Sequence, residues 1–134
     1  MEFSINTTTG VPIYEQLAGQ ICTAIARGRL HADERLPSVR ELSQTLVVNP
    51  NTVARAYTEL EREGALYTRP GMGVFVSKPA PTPSKEVRRE RLRAPLEQLL
   101  VQAVRLGCEP QEVSELLDEQ MQHYQWQSAA TKPL

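Results

Sequence analysis

The stretch LPSVRELSQTLVVNPNTVARAYTELEREG, residues 36–64, holds two helix starts set a few residues apart, and few folds accommodate that. Ser38 is followed three residues later by Glu41, the spacing of a reciprocal N-terminal cap. Pro37 stands just before it, and Val39, Leu42 and Leu46 make a short apolar stripe that runs out at Leu46. Asn49-Pro50 opens the next helix, because Asn caps well and Pro suits the first helical position. That helix is expected to reach about Glu63, with Gly64 as its stop. Only Val47 and Val48 lie between the two. Helices joined by so short a turn must cross steeply, which is the helix-turn-helix arrangement.

The flanks extend the pattern. Upstream, Ile13, Leu17, Ile21 and Ile25 recur at four-residue steps beside Ala18 and Ala24, one apolar helix face over residues 12–27. Pro12 suits its first position and Gly28 its end. Downstream, Ala65–Thr68 and Val74–Ser77 read as short strands around the turn-forming Arg69-Pro70-Gly71-Met72-Gly73. Three helices and a β-hairpin predict a winged helix over residues 1–77. Residues 78–84, where proline alternates with small residues, predict a semi-rigid linker. Residues 85–127 return to helical periodicity, with Leu92, Leu96, Leu99, Leu100, Ala103 and Leu106 on one stripe, then Val113, Leu116, Leu117, Met121 and Tyr124 on a second after Pro110. Pro95 either kinks the first of these helices or starts it. Residues 128–134 carry no pattern and are expected to be a disordered tail. The expected class is therefore mostly α with a small β-hairpin.

On a wheel with Asn51 at zero, Arg55 falls at about 40° and Thr52 at about 100°, opposite Leu60, Val53 and Tyr57. The apolar face packs inwards, so Asn51, Thr52 and Arg55 face out. Alone, that is an ordinary solvated surface. Beside a capped helix, a two-residue turn and a hairpin it becomes a recognition helix, whose N-terminal residues reach base edges in the major groove. Asn and Arg offer paired hydrogen bonds suited to adenine and guanine. Asn49 and the free N–H groups of the first turn can hold a phosphate. Arg40, in the first turn of the second helix, either approaches the DNA backbone or pairs with a nearby carboxylate. Arg69 and the Gly71-Met72-Gly73 turn either touch DNA or form a plain hairpin. Glu59, Glu61, Arg62 and Glu63 are expected to be solvated.

Composition narrows the function. The net charge of −1 argues mildly against nucleic acid, but the seven basic residues of positions 1–77 are all Arg, which suits two-point recognition of phosphate or guanine. Cys22 and Cys108 are isolated, and His31 and His123 have no partners at ligand spacing, so no disulfide, metal or catalytic site is expected. No apolar run could span a bilayer and no secretory leader is evident, which makes the cytoplasm the default and excludes a membrane partner.

Residues 11–77 resemble the GntR family of bacterial repressors. The resemblance rests on Pro12-Ile13-Tyr14, Leu36-Pro37-Ser38, Arg40-Glu41-Leu42, Asn51-Thr52-Val53, Ala56-Tyr57, Leu60, Gly64 and Gly71-x-Gly73-x-Phe75-Val76. The short helical part after the linker is similar to the YtrA subfamily, where it serves dimerisation. The resemblance implies DNA contacts by Arg40, Asn49, Asn51, Thr52, Arg55, Arg69 and Gly71. Two helices as short as those after the linker cannot bury enough surface alone, so their stripes, Leu92, Leu96, Leu99, Leu100, Leu106, Leu116, Leu117 and Met121, are expected to form a dimer seam with a second copy. Pro50 and Ala54 depart from residues common in the family. Ala54 cannot supply an arginine contact, which shifts specificity onto Arg55. The usual Pro-Gly before the second helix is Ala32-Asp33, and Asp tolerates such turns. The expected function is a repressor binding an inverted-repeat operator as a homodimer, without a cofactor. The alternative is a winged-helix protein-interaction module. No effector pocket is readable. The seam beside Leu99, Met121 and Tyr124 is the one candidate place for an unknown small-molecule effector.

Overall fold

The computed structural model describes residues 2–126 and divides into two compact units, Met1–Ala80 and Pro81–Leu134. The tail expected at 128–134 lies outside the described residues. The first unit is a winged helix-turn-helix. Its elements are α1 (Ile13–Ala26), α2 (Val39–Leu46), α3 (Pro50–Arg62), β1 (Leu66–Arg69) and β2 (Gly73–Val76). The second unit contains α4 (Lys85–Arg105) and α5 (Pro110–Met121).

Local chemistry sets each boundary. The Ser38 side chain accepts from the Glu41 amide at 3.0 Å, and the Glu41 carboxylate accepts from the Ser38 amide at 3.2 Å, completing the reciprocal cap of α2. Asn49 caps α3 by accepting from the Asn51 amide at 2.8 Å. Pro12 is the residue before α1 rather than its first, and its carbonyl accepts from the amides of Glu15 and Gln16. The turn between α2 and α3 closes with Val47 at φ 55° and ψ 52°. A β-branched residue is strained there, and Val47 is 88% exposed, so packing does not compensate. Asp33 takes the other positive φ among non-glycine residues, 66°, the conformation the Ala32-Asp33 turn was expected to tolerate.

The core is aliphatic. Leu17 and Ile21 of α1, Leu36, Val53 and Leu60 of α3, Leu66 and Val76 are almost completely enclosed. Each such side chain contributes roughly 1.5–3 kcal/mol. Ile13 and Ile25, at the ends of the α1 stripe, are only half-buried. Tyr57 is buried too, and its hydroxyl donates to the Pro37 carbonyl at 2.6 Å, tying α3 to the lead-in of α2.

The hairpin lies one residue from its expected place. β1 runs to Arg69 and β2 starts at Gly73, because Arg69 and Gly73 pair as the last rung. The sheet also has an unexpected third member. Residues 33–36 line the free edge of β2 through Asp33 N–H to Val76 O (2.7 Å), Val76 N–H to Glu34 O (2.9 Å) and Leu36 N–H to Val74 O (2.8 Å). A further feature without sequence periodicity is the N-terminal arm. Gln20 bonds both the amide and the carbonyl of Ser4, and Gln16 both those of Asn6, so the arm is zipped along α1.

In the second unit, α4 starts at Lys85, with the Ser84 side chain accepting from the Val87 amide, and runs through Pro95. Pro95 therefore lies inside the helix and does not start it. Among the described residues of this unit only Ala103 is buried, at 8% exposure. Leu92, Leu96, Leu99, Leu100, Leu106, Leu116, Leu117 and Met121 all stand exposed. The helix α5 ends at Met121, so Tyr124 is not on its stripe. It packs edge-on against Trp126, whose indole N–H donates to the Met121 carbonyl. A groove of about 520 Å³ between α4 and α5 is lined by Leu99, Ala103, Leu106, Val113, Leu116 and others, but not by Met121 or Tyr124.

Candidate nucleic-acid interface

The outward face of α3 carries the expected set. Asn51 and Arg55 are exposed and Thr52 is half-buried, while Val53, Ala56, Tyr57 and Leu60 hold the opposite face in the core. The N-terminal turn is open to solvent, with Asn49 and Pro50 exposed. The Asn49 side-chain oxygen is used as the cap, which leaves its amide N–H groups for an external acceptor.

Arg40 is exposed in the first turn of α2 and forms no ion pair among the described residues, so the salt-bridge alternative is not realised. Its carbonyl accepts from the hydroxyl of Ser43, a buried polar residue that the sequence stripe did not mark. The nearby Glu41 carboxyl is held below its usual range, first by the Ser38 amide that donates to it. Glu61, Arg62 and Glu63 are exposed as expected, and Glu59 is half-buried. Glu59 pairs with Arg62, and Glu61 accepts from Thr68.

The wing departs most from expectation. Arg69 folds back over its own hairpin, 4.5 Å from the Phe75 ring centroid and 5.4 Å from that of Tyr67. It also donates to the Tyr67 hydroxyl at 2.8 Å, and that hydroxyl donates to Asp33 at 2.6 Å. The bond to Asp33 raises the Tyr67 phenol above its ordinary range. Tyr67 stacks on Phe75, which is 7% exposed although it lies on the sheet face opposite the core residues Leu66 and Val76. The wing tip is Gly71 and Met72, both exposed, leaving backbone and a thioether outermost.

Two contacts of this surface escaped the sequence reading. Arg35 bridges to Phe75 and crosses over Gly73, where an added Cβ would sit 2.9 Å from the Arg35 Nε. The Arg35 side chain is exposed and flexible and can give way, so it is the φ of 124° that calls for glycine at position 73. Tyr14 of α1 carries the Arg55 guanidinium over its ring, 3.8 Å from the centroid. Neither pairing is local, so no spacing rule marks it. Among the described residues there is no cluster able to hold a metal ion, and both cysteines are free.

Residues 13–76, from the start of α1 to the end of β2, match the model of the bacterial regulatory proteins, gntR family. The transcriptional repressor YtrA of Bacillus subtilis is 37% identical over 115 residues, covering 86% of this chain and 88% of YtrA. The chain belongs to the GntR family. It is a DNA-binding transcriptional regulator rather than an enzyme. The likeness to YtrA runs past the family's winged helix into the helical unit. A structure from Listeria monocytogenes EGD-e described as a transcriptional antiterminator superposes with a TM-score of 0.78 at 35% identity, covering 90% of both chains. The GntR-type winged helix also matches the DNA-binding domain of AraR in complex with operator ORX1, with a TM-score of 0.52 and 27% identity over 57% of this chain and 99% of that one. No helix among the described residues is long and apolar enough to cross a membrane.

Proposed function

We propose that this GntR regulator is a repressor that binds an inverted-repeat operator as a homodimer, each α3 lying in the major groove of one half-site. One observation carries the reading. The N-terminal half of α3 presents Asn51, Thr52 and Arg55 outwards beside Arg40, which has no ion pair among the described residues. Arg55 and Asn51 are assigned to base edges, Thr52 and Asn49 to the groove wall and phosphates, and Arg40 to the backbone. Arg69 and Gly71 are assigned to the wing contact, Arg69 from its stacked position on Phe75. The AraR domain, which has this fold, was solved on an operator, and that supports the placement. A DNA target fits the cytoplasm that the sequence makes the default.

The second copy is argued from α4 and α5. A helix pair whose leucines face water and which, among the described residues, encloses only the side chain of Ala103 buries too little surface to hold itself together. Leu99, Leu106, Leu116 and Leu117 flank one groove, and a second copy of the same helices offers a matching apolar face. Two symmetric recognition helices then set half-sites about one helical turn, or a multiple of it, apart.

The test is selection of bound duplexes from a random pool by the full chain. The expected result is two inverted half-sites, with Arg55→Ala costing roughly 1–3 kcal/mol and relaxing one base position. Arg40→Ala should weaken all sequences alike and lower the salt slope. A selected motif without inversion symmetry would contradict the dimeric reading.

A further inference from the structure

The stack of Arg55 on Tyr14 joins the recognition helix to a helix that has no other part in the interface. Tyr14 is the second residue of α1, half-buried and packed against the core cluster, so its ring is a fixed object. Its hydroxyl donates to the Glu15 carboxylate at 3.2 Å, which satisfies the polar tip on its own helix. The Arg55 guanidinium lies over this ring at 3.8 Å. Arg55 is otherwise exposed and forms no ion pair among the described residues.

A guanidinium held by its face keeps its in-plane N–H donors free for a planar acceptor pair. It has also given up much of its rotamer freedom before DNA arrives, so less is lost on binding. Among the described residues Arg40 has no such support, and a phosphate contact, tolerant of small displacements, does not need it. A bidentate contact to a base edge does.

We propose that Tyr14 is a positioning residue for sequence readout, holding Arg55 in the orientation from which it reads its base. The proposal rests on the assignment of Arg55 to a base edge. A merely structural tie between α1 and α3 would contribute to folding and leave base preference untouched.

The test is a double-mutant cycle read on the selected operator and on its single-base variants, at fixed salt. The proteins are the full-length wild type, Tyr14→Phe, Tyr14→Leu, Arg55→Ala and the Tyr14→Leu/Arg55→Ala pair, each checked by thermal melting. Tyr14→Phe keeps the ring and should match wild type. Tyr14→Leu should lose about two- to fivefold on the preferred operator. It should also flatten discrimination at the same base position that Arg55→Ala flattens. In the Arg55→Ala background it should cost nothing more. If Tyr14→Leu does not melt cooperatively, Tyr14→Met fills the same gap with an unbranched chain and takes its place. Equal losses in both backgrounds and across all operators would overturn the proposal. So would a loss for Tyr14→Phe as large as for Tyr14→Leu, which would put the role in the hydroxyl. If Arg55→Ala alone changes neither affinity nor preference, the assignment of Arg55 fails and this inference with it. If Arg55→Ala acts and Tyr14→Leu does not, only the inference fails.

Discussion

The two units use the same apolar periodicity to opposite ends. In the winged helix the stripe residues Leu17 and Ile21 of α1 and Val53, Tyr57 and Leu60 of α3 close on one another and on Leu36, Leu66 and Val76. In the helical unit leucines again recur along α4 and α5, yet Leu92, Leu96, Leu99, Leu116 and Leu117 remain exposed. The difference lies in the number of layers. Three helices and a sheet can surround a leucine, but two helices meet along one line and cover little else. An apolar stripe marks what must be covered, and the surrounding elements decide whether the same chain can cover it.

The sharpest way to break that comparison is to substitute leucines in each unit in turn. Leu60→Ala should cost the winged helix about 2–5 kcal/mol in chemical denaturation, the usual range for a fully enclosed leucine. Leu99→Asp with Leu116→Asp should leave the winged-helix transition in place and abolish self-association in sedimentation. A large loss of winged-helix stability in the second variant would show that the two units share a core.

Next in size is the wing. Gly73→Ala puts an L side chain at φ 124°, so a loss of roughly 1–3 kcal/mol is expected in the same denaturation. Smaller and opposite in sign is Val47→Gly. It relieves a left-handed β-branched residue that packs on nothing, and net stabilisation of up to about 1 kcal/mol is expected after the entropy cost of glycine. The smallest effect is the pH dependence of the α2 cap. The folded Glu41 pKa lies below its ordinary 4.5 because the Ser38 amide donates to the carboxylate. Its contribution is therefore present above about pH 4.5 and lost as pH falls through the folded value. The stability gap between wild type and Glu41→Ala should narrow on acidification, and a gap that widens would contradict the cap.

The helix-turn-helix was legible because its signals are local. Ser38 and Glu41, Asn49 and Pro50 each settle their own turn of chain, and the two-residue gap settles the crossing. The candidate contacts on α3 followed from the wheel together with the capped helix, the short turn and the hairpin beside it. What escaped depends on residues distant in the chain. Residues 33–36 are too short a strand to show alternation, and they are recognised only by their bonds to β2. Gln16 and Gln20 look like ordinary surface residues until the N-terminal arm lies beside them. Arg69 reads as a wing-tip cation, but the Phe75 ring two rungs away draws it back. The wheel places Arg55 on a face and says nothing about Tyr14 across from it.

The central claim is that one unit reads DNA while the other supplies the second copy. The mass of the complex on a duplex carrying both selected half-sites tests it most directly, by sedimentation equilibrium at micromolar protein. Two chains per duplex are expected, with Leu99→Asp/Leu116→Asp reducing occupancy to one weakly held chain. A wild-type complex of one chain per duplex, or a double variant that still binds as a tight pair, would contradict the account.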